Sequence, residues 1–225
     1  MKTASQRFSD AQRAQVTRAV VEAEAKTSAE LVPVVATASG RYDRAEDVVG
    51  LWLTVITAVV LWIFLPGSNE DAGSWGGFPI VWQVVILIVA MAAAFVLGAV
   101  LGSRIGWLRR LFTPRREMRD EVNRRAREVF FDSRVHHTAA GSGLLLYVSL
   151  FEHQAAVIAD RDVLEKLGQD VLDQLCNELI DLLRTGHPSE ALCATLASAA
   201  ERLAEVLPRQ DDDVNELADA LVTLD

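Results

Sequence analysis

The sequence is poor in the residues that bind zinc, with two cysteines and four histidines in 225 residues. A zinc site needs several Cys or His ligands at suitable spacing, and Cys176 and Cys193 do not supply them. Both cysteines stand among apolar neighbours in helical patterns, which indicates reduced thiols packed as small hydrophobic side chains. A zinc protein is therefore not expected.

Catalytic sequence motifs are absent as well. No P-loop, G-x-S-x-G, H-E-x-x-H or G-x-G-x-x-G pattern occurs. Ser142 and Ser149 have no base beside them in the sequence and give no support to a catalytic triad. The first ten residues contain neither an apolar run nor a small-residue cleavage site, so a secretory signal is not expected. No catalytic residue is predicted.

Basic residues are outnumbered, with 22 Lys and Arg against 31 Asp and Glu. The excess acid is concentrated in residues 117–208, with 9 basic against 16 acidic residues, and in residues 209–225, with 1 against 6. Residues 1–47 are balanced. An acidic surface repels a phosphate backbone, so nucleic acid is not expected as a partner.

Two long stretches lack charge altogether. Residues 48–65 are 18 uncharged residues, and residues 78–101 are 24 with Gln83 as the only strongly polar side chain. At ~1.5 Å per residue the shorter stretch spans roughly 27 Å as a helix, close to the thickness of a bilayer hydrocarbon core. They predict two helices that cross a lipid bilayer, the alternative being helices buried in a soluble core. Because no ionisable residue lies within either stretch, an anchor is favoured over a transporter.

The connection between the two stretches, residues 66–77, is short and rich in turn-forming residues, which predicts a helical hairpin. It contains no Lys or Arg, whereas the basic juxtamembrane segment 102–116 contains five. Basic residues favour the cytoplasmic side of a membrane. We predict a multi-pass protein of the cell inner membrane with both termini in the cytoplasm and residues 66–77 as an extracytoplasmic loop. The residues that set this topology are Arg104, Arg109, Arg110, Arg115 and Arg116.

Small residues recur about every four positions along both predicted spans, where they let two helix backbones approach closely in lipid. This spacing predicts packing of one span on the other, and it is equally compatible with a homodimer. The predicted contact residues are Gly50, Thr54, Ala58, Ala94, Gly98 and Gly102.

The segment before the hairpin, residues 1–47, predicts one helix and one strand. Ser9 and Gln12 form a capping-box pattern ahead of an amphipathic helix at 10–26. Residues 29–36 follow as a strand, in which Pro33 favours an edge position or a bulge.

The segment after the hairpin, residues 117–208, predicts a helix, two strands and two helices. The first helix runs to about residue 131, a strand buried on both faces covers 144–150, and an antiparallel strand returns at 155–159. Asp160 or Asp162 is expected to cap one long helix, and Pro188 opens another.

Neither segment can bury a core alone, so the two are expected to form one three-layer α/β domain, a small mixed sheet flanked by helices, interrupted by the inserted transmembrane hairpin. Residues 209–225 read as an acidic linker and a short amphipathic tail. A helix of this length is marginal alone, so it is expected to dock on its own domain or on a partner.

Several stretches resemble the TPM domain family, among them KTSAELVPVV, Tyr42 and GLLLYVSLFEHQAAVIADRDV. The resemblance covers roughly residues 8–47 and 117–208, and is to a bacterial subgroup of membrane proteins in which a two-helix hairpin interrupts the domain. It implies the same α/β fold. Some plant members have been linked to acid phosphatase activity and the fold to calcium binding. Asp162 and Val163 stand where many relatives have a glycine and a branched residue.

A polar cluster is predicted near strand ends, where open sheets bind ligands. Its members are Glu30, Asp132, His136, His137, Glu152, Asp160, Arg161 and Asp162. The candidate ligands among them are Asp132, His136, Glu152, Asp160 and Asp162. Such carboxylates are suited to Ca²⁺ or Mg²⁺, with which phosphate ester hydrolysis becomes feasible. The alternative is that Asp160 or Asp162 caps a helix and that His136 is solvated.

The sequence therefore leaves two functional hypotheses. The first is a non-enzymatic interaction or assembly module without a cofactor, which holds a protein partner through its acidic domain or tail. The alternative is a divalent-metal-dependent phosphatase or calcium-binding domain that uses Ca²⁺ or Mg²⁺.

Overall fold

The computed structural model describes residues 3–42, 44–64, 80–105, 110–137, 142–210, 217 and 220–225. The chain forms two compact units, one of residues 1–40 with 116–225 and one of residues 41–115. The helices are α1 (Ala4–Arg7), α2 (Asp10–Glu24), α3 (Arg44–Phe64), α4 (Ile80–Arg104), α5 (Arg115–Asp132), α6 (Arg161–Leu167), α7 (Gln169–Leu183) and α8 (Pro188–Val206), and the strands are β1 (Glu30–Ala36), β2 (Gly143–Ser149), β3 (Gln154–Ala159) and β4 (Val222–Leu224).

The first unit is built on one mixed sheet with the strand order β3-β2-β1-β4. Strand β1 pairs in parallel with β2 and with β4, and β3 pairs antiparallel with β2. The predicted strands at 29–36, 144–150 and 155–159 are therefore confirmed, as is the α/β fold class with a small mixed sheet flanked by helices.

Both faces of the sheet are covered, because successive side chains of a strand point to opposite faces. One face packs against α1, α2, α6, α7 and α8, and the other against α5. The first face presents Leu31, Val35, Leu144, Leu146 and Val148. The second presents Val32, Val34, Leu145 and Tyr147 against Val122, Ala126, Val129 and Phe130 of α5. The result is the predicted three-layer arrangement.

Local signals define several helix ends. Ser9 caps α2 and shares a capping box with Gln12, as predicted. Pro188 begins α8, and Asp160 caps α6 by accepting a hydrogen bond from the N–H of Arg161. The single long helix predicted after Asp160 is wrong: Gly168, with φ of 81°, separates α6 from α7.

Pro33 lies in a central strand rather than at an edge of the sheet, which corrects the prediction. The N–H of Glu30 points toward β2 and donates to Ser142, whereas the N–H of Thr37 points the other way and donates to Leu224 of β4. By alternation the nitrogen of Pro33 faces the β4 side. Strand β4 starts opposite Val34, so the missing N–H removes no hydrogen bond from the sheet.

The tail ends in a strand, not in the predicted helix. Residues Val222–Leu224 pair with Val34–Ala36 of β1, and the N–H of Thr37 donates to the carbonyl of Leu224 at 2.8 Å. The carboxylate of Asp225 then accepts a hydrogen bond at 3.0 Å from the N–H of Ser5, and the hydrogen bonds from Ser5 lower the pKa of this carboxyl. The end of the tail thus docks on its own domain.

The second unit contains two antiparallel helices in close contact. A Cβ added to Gly98 would lie 2.7 Å from the Cα of Gly50 and 2.8 Å from the carbonyl oxygen of Val49. The hydroxyl of Thr54 donates to the carbonyl of Gly50 at 2.8 Å and lies 3.5 Å from the carbonyl of Met91. Only small side chains fit at this crossing.

Helices α3 and α4 are long and apolar enough to cross a membrane. The candidate spans are Glu46–Phe64 and Val81–Arg104, of which only 6% and 11% are buried within the protein. Large apolar side chains such as Trp62, 83% exposed, and Phe64, 77% exposed, cover their outer surface. The predicted loop 66–77 lies outside the described residues.

Replacing Gly98 by leucine is expected to destabilise the pairing of α3 with α4 by about 1–3 kcal/mol, because the new side chain would meet the backbone of Gly50. Ala92→Leu, at an exposed position of the same helix, is the matched control and is expected to change little. The measurement is the midpoint of SDS-induced unfolding in mixed micelles. Equal midpoints for the two variants would contradict the described packing.

Candidate functional site

The five predicted ligand residues do not form one cluster. Glu152 lies in the turn between β2 and β3, whereas Asp160 follows β3 at its other end. A strand of this length separates its two ends by roughly 20 Å. Asp132 ends α5, and His136 lies in the short 3₁₀ turn that follows.

The acidic residues around α6 have structural roles. Asp160 is the helix cap, and Asp162 forms an ion pair with Lys166 at 2.8 Å. The ring of His136 packs edge-on against Phe131, with ring centroids 5.0 Å apart. Among the residues that the structure describes, no three His, Cys, Asp or Glu side chains are placed to hold a metal ion together.

The predicted packing residues of the hairpin lie in the second unit. Gly50, Ala94, Gly98 and Gly102 are buried, and Thr54 and Ala58 are half-buried. The predicted topology residues Arg104, Arg110, Arg115 and Arg116 are exposed, while Arg109 lies outside the described residues.

Glu152 is the centre of a buried polar cluster that we call the Glu152 clamp, formed by Ser39, Gly40, Tyr147, Ser149 and Glu152. The carboxylate is 1% exposed and accepts hydrogen bonds from the N–H of Ser39 at 2.8 Å and of Gly40 at 3.2 Å. Its other oxygen accepts the hydroxyl of Ser149. A buried carboxylate needs such donors to offset its lost hydration, and those of Ser39 and Gly40 fix the chain at the end of the first unit's N-terminal segment.

Tyr147 completes the clamp from the middle of β2. Its side chain is fully buried, and its hydroxyl lies 3.0 Å from the hydroxyl of Ser39. Burial raises the pKa of the phenol, the hydrogen bond with Ser39 opposes this shift, and the nearby charge of Glu152 adds to it. The phenol therefore stays protonated at neutral pH.

A groove of about 780 Å³ lies beside strand β3. Its floor is the free edge of β3, and its walls are α5 and α7. We call it the β3 groove. The α5 wall carries Arg119, Asn123 and Arg127, and the α7 wall carries Asp173, Cys176, Asn177, Asp181 and Arg184. A smaller cavity of about 80 Å³ beside Arg7 and His153 has room for only a few water molecules.

Cys176 lies in the β3 groove, half-buried, and its thiol donates to the carbonyl of Ala155 at 3.3 Å. Burial raises its pKa, so the thiol is protonated and unreactive at neutral pH. Cys193 is likewise half-buried.

Sequence reasoning named Glu152 but missed its partners and the whole β3 groove. Arg119, Asn123 and Arg127 of the α5 wall repeat at a spacing of four, which places them on one helix face. This spacing is the signal in the sequence that could have indicated the groove. Nothing in the sequence links Ser39 to Glu152, because that contact depends on the pairing of β1 with β2.

No protein-family model and no curated protein matches this chain. Among solved structures, the NMR structure of the BA42 protein from the psychrophilic bacterium Bizionia argentinensis is similar, with a TM-score of 0.58 and 14% sequence identity over 99% of each chain. At this identity the similarity shows the fold alone.

Replacing Glu152 by alanine is expected to lower the free energy of unfolding by about 2–4 kcal/mol, because the donors of Ser39, Gly40 and Ser149 lose their acceptor in a buried place. Glu152→Gln keeps one oxygen acceptor and should recover part of the loss. The measurement is urea-induced unfolding of the detergent-purified protein, followed by far-UV circular dichroism.

The matched control for the clamp is Glu165→Ala, since the side chain of Glu165 is 60% exposed and pairs with Arg161 at the surface. Its unfolding curve should overlay that of the original protein. Equal stability of the Glu152→Ala and Glu165→Ala proteins would contradict the structural role of the clamp.

Proposed function

We propose that the protein is a non-enzymatic, membrane-anchored interaction module, whose α/β domain stands at the cytoplasmic face of the bacterial inner membrane and holds a partner protein. The β3 groove is the observation that carries the proposal. It is large enough for a ligand-sized segment, and its floor is a strand edge that can take another strand.

The anchoring part of the proposal is supported by the two apolar helices and by the arginines that follow them. The candidate spans are mostly unburied within the protein, and apolar surfaces of this size are normally covered by lipid or protein. The spans contain no ionisable residue between Val48 and Phe64 or between Val81 and Leu101, which favours an anchor.

Membership of the TPM family belongs to the same proposal. It is supported by the stretches KTSAELVPVV and GLLLYVSLFEHQAAVIADRDV, and the fold similarity to the BA42 protein is compatible with it. We assign the partner surface to the β3 groove rather than to the tail, because the end of the tail is paired with β1.

The interaction is tested by site-specific photo-cross-linking in living bacterial cells. A benzophenone amino acid at Asn177, an exposed residue in the groove, is expected to give a covalent adduct with a partner protein. The control position is Glu201, which is exposed on α8 outside the groove and should give none. If neither these nor other exposed positions of the α/β domain give an adduct, the proposed function is wrong.

The topology is tested by cysteine labelling in intact spheroplasts. Ser68→Cys, in the predicted outer loop, should react with a membrane-impermeant maleimide from outside, whereas Glu201→Cys should react only after lysis. Cys176 and Cys193 form a low background, because burial raises the pKa of both thiols. Labelling of Glu201→Cys in intact spheroplasts would contradict the cytoplasmic location.

A further inference from the structure

Strand β3 directs a set of backbone hydrogen-bonding groups into the β3 groove, of which the carbonyl of Ala155 and the N–H of Val157 contact the sulfur of Cys176. The N–H of Asp160 donates to Gly143 of β2 at 2.8 Å, so in the antiparallel pairing residues 154, 156 and 158 also face β2. The N–H and C=O groups of Ala155, Val157 and Ala159 therefore point outward. Within the described part of the chain, the thiol of Cys176 is the one side chain that donates a hydrogen bond to these groups.

The thiol of Cys176 competes only weakly with a backbone N–H for the carbonyl of Ala155. A sulfhydryl is a poor donor, and the bond from Cys176 to the carbonyl of Ala155 is 3.3 Å long. A backbone N–H from another strand would make a stronger bond to the same carbonyl, and it would have to displace the side chain of Cys176. The edge is thus available to an added strand.

The walls of the groove determine the shape of what can bind. Because α5 and α7 both line the groove beside β3, one extended segment fits between them, while a second helix-covered sheet does not. Six residues of β3 extend over roughly 20 Å, which is the length of an added segment of about the same number of residues.

The charge of the groove selects the kind of segment. Arg119 and Arg127 make no hydrogen bond or ion pair with any described residue, and both are exposed on the α5 wall. The acids of the opposite wall are already engaged: Asp181 pairs with Arg184 at 2.7 Å, and Asp173 accepts from Gln169 at 2.8 Å. The lining contains three arginines, at 119, 127 and 184, against two aspartates, at 173 and 181, so its net charge is positive by one, within a domain that is acidic elsewhere.

The spacing of the two arginines gives a register. Residues eight apart on a helix are about 12 Å apart along its axis, and residues four apart on a strand are about 13 Å apart. A strand with acidic side chains at positions i and i+4 would therefore place one carboxylate beside each of Arg119 and Arg127.

We propose that the β3 groove binds an extended acidic peptide segment of a partner protein, which adds to β3 as a fifth strand and pairs two carboxylates, four residues apart, with Arg119 and Arg127. This inference rests on the proposed function and names the chemistry of its partner. Main-chain hydrogen bonds would provide the affinity, and the two arginines would provide the selectivity for acidic sequences.

The test uses the full-length protein in detergent micelles and fluorescein-labelled synthetic nonapeptides of alternating Val and Ser, measured by fluorescence anisotropy. One peptide carries Glu at positions 3 and 7, and a second carries Lys at the same positions. The Glu peptide should bind roughly tenfold or more tightly than the Lys peptide, as two exposed ion pairs allow. Equal affinities would overturn the proposal.

Two protein variants examine the arginines. Arg119→Gln combined with Arg127→Gln should weaken binding of the Glu peptide roughly tenfold. The matched control, Arg124→Gln with Arg125→Gln, removes the same charge from the same helix outside the groove and should change binding less than about twofold. If both pairs of substitutions have the same effect, net charge alone accounts for binding and the proposal fails.

The addition of the peptide as a strand is tested by one change in the protein and one in the peptide. Val157→Pro removes an outward N–H without breaking a bond to β2 and should abolish binding, while Val157→Ala should preserve it, both proteins keeping the original circular dichroism spectrum. Successive amides of a strand point to opposite sides. N-methylation of the peptide amides that face β3 should therefore abolish binding, and N-methylation of the alternate set that faces away should preserve it. Equal binding of both methylated peptides would overturn strand addition.

Two experimental results distinguish failure of the acidic-peptide proposal from failure of the proposed function. Cross-links from Asn177 without peptide binding would keep the interaction module and reject the acidic strand. A dimer in analytical ultracentrifugation that dissociates in the Val157→Pro protein would assign the groove to a second copy of the chain and overturn the proposal.

Discussion

The parallel pairing of β1 with β2 is the contact on which the rest of the first unit depends. It aligns Glu30–Ala36 with Gly143–Ser149 and so joins two segments that are separated by the whole hairpin unit. Both faces of the joined sheet are apolar, and each draws its own helical layer: α1, α2 and the three C-terminal helices on one side, α5 on the other. The three-residue strand β4 exists only because β1 offers it an edge. Parallel strands need a long crossover, and this crossover has room for an independent helical pair.

Patterns that arise from local chemistry were predictable from the sequence. The capping box of Ser9 and Gln12, the α5 stripe from Met118 to Phe130 and the strand alternation all depend on neighbours within a few residues. The break at Gly168 was missed because the leucine pattern continues on both sides of a glycine that turns the chain. The tail strand was missed because Val222–Leu224 is too short to have a strand preference of its own, and its conformation comes from pairing with β1.

The candidate site was less predictable for a geometric reason. The expected ligand cluster assumed that strand ends meet, but β3 runs antiparallel to β2, so Asp160 and Glu152 fall at opposite ends of the sheet. The β3 groove depends on which strand is left at the edge and on which helices flank it, and both are properties of the assembled sheet. Arg119 and Arg127, eight residues apart, indicate only an ordinary exposed helix face until the strand beside them is known.

The position of the inserted hairpin also determines the order in which parts of the protein can fold during synthesis. More than a hundred residues lie between the end of β1 and the start of β2. At ribosomal rates of about 5–20 residues per second, β2 is synthesised about 5–20 seconds after β1. Helices α3 and α4 are both complete before β2 is made, while the apolar residues of β1 still have no sheet to join. The helical pair therefore emerges and can settle before the α/β domain is able to fold, and a nascent chain stalled in this window would expose an unpaired, aggregation-prone strand.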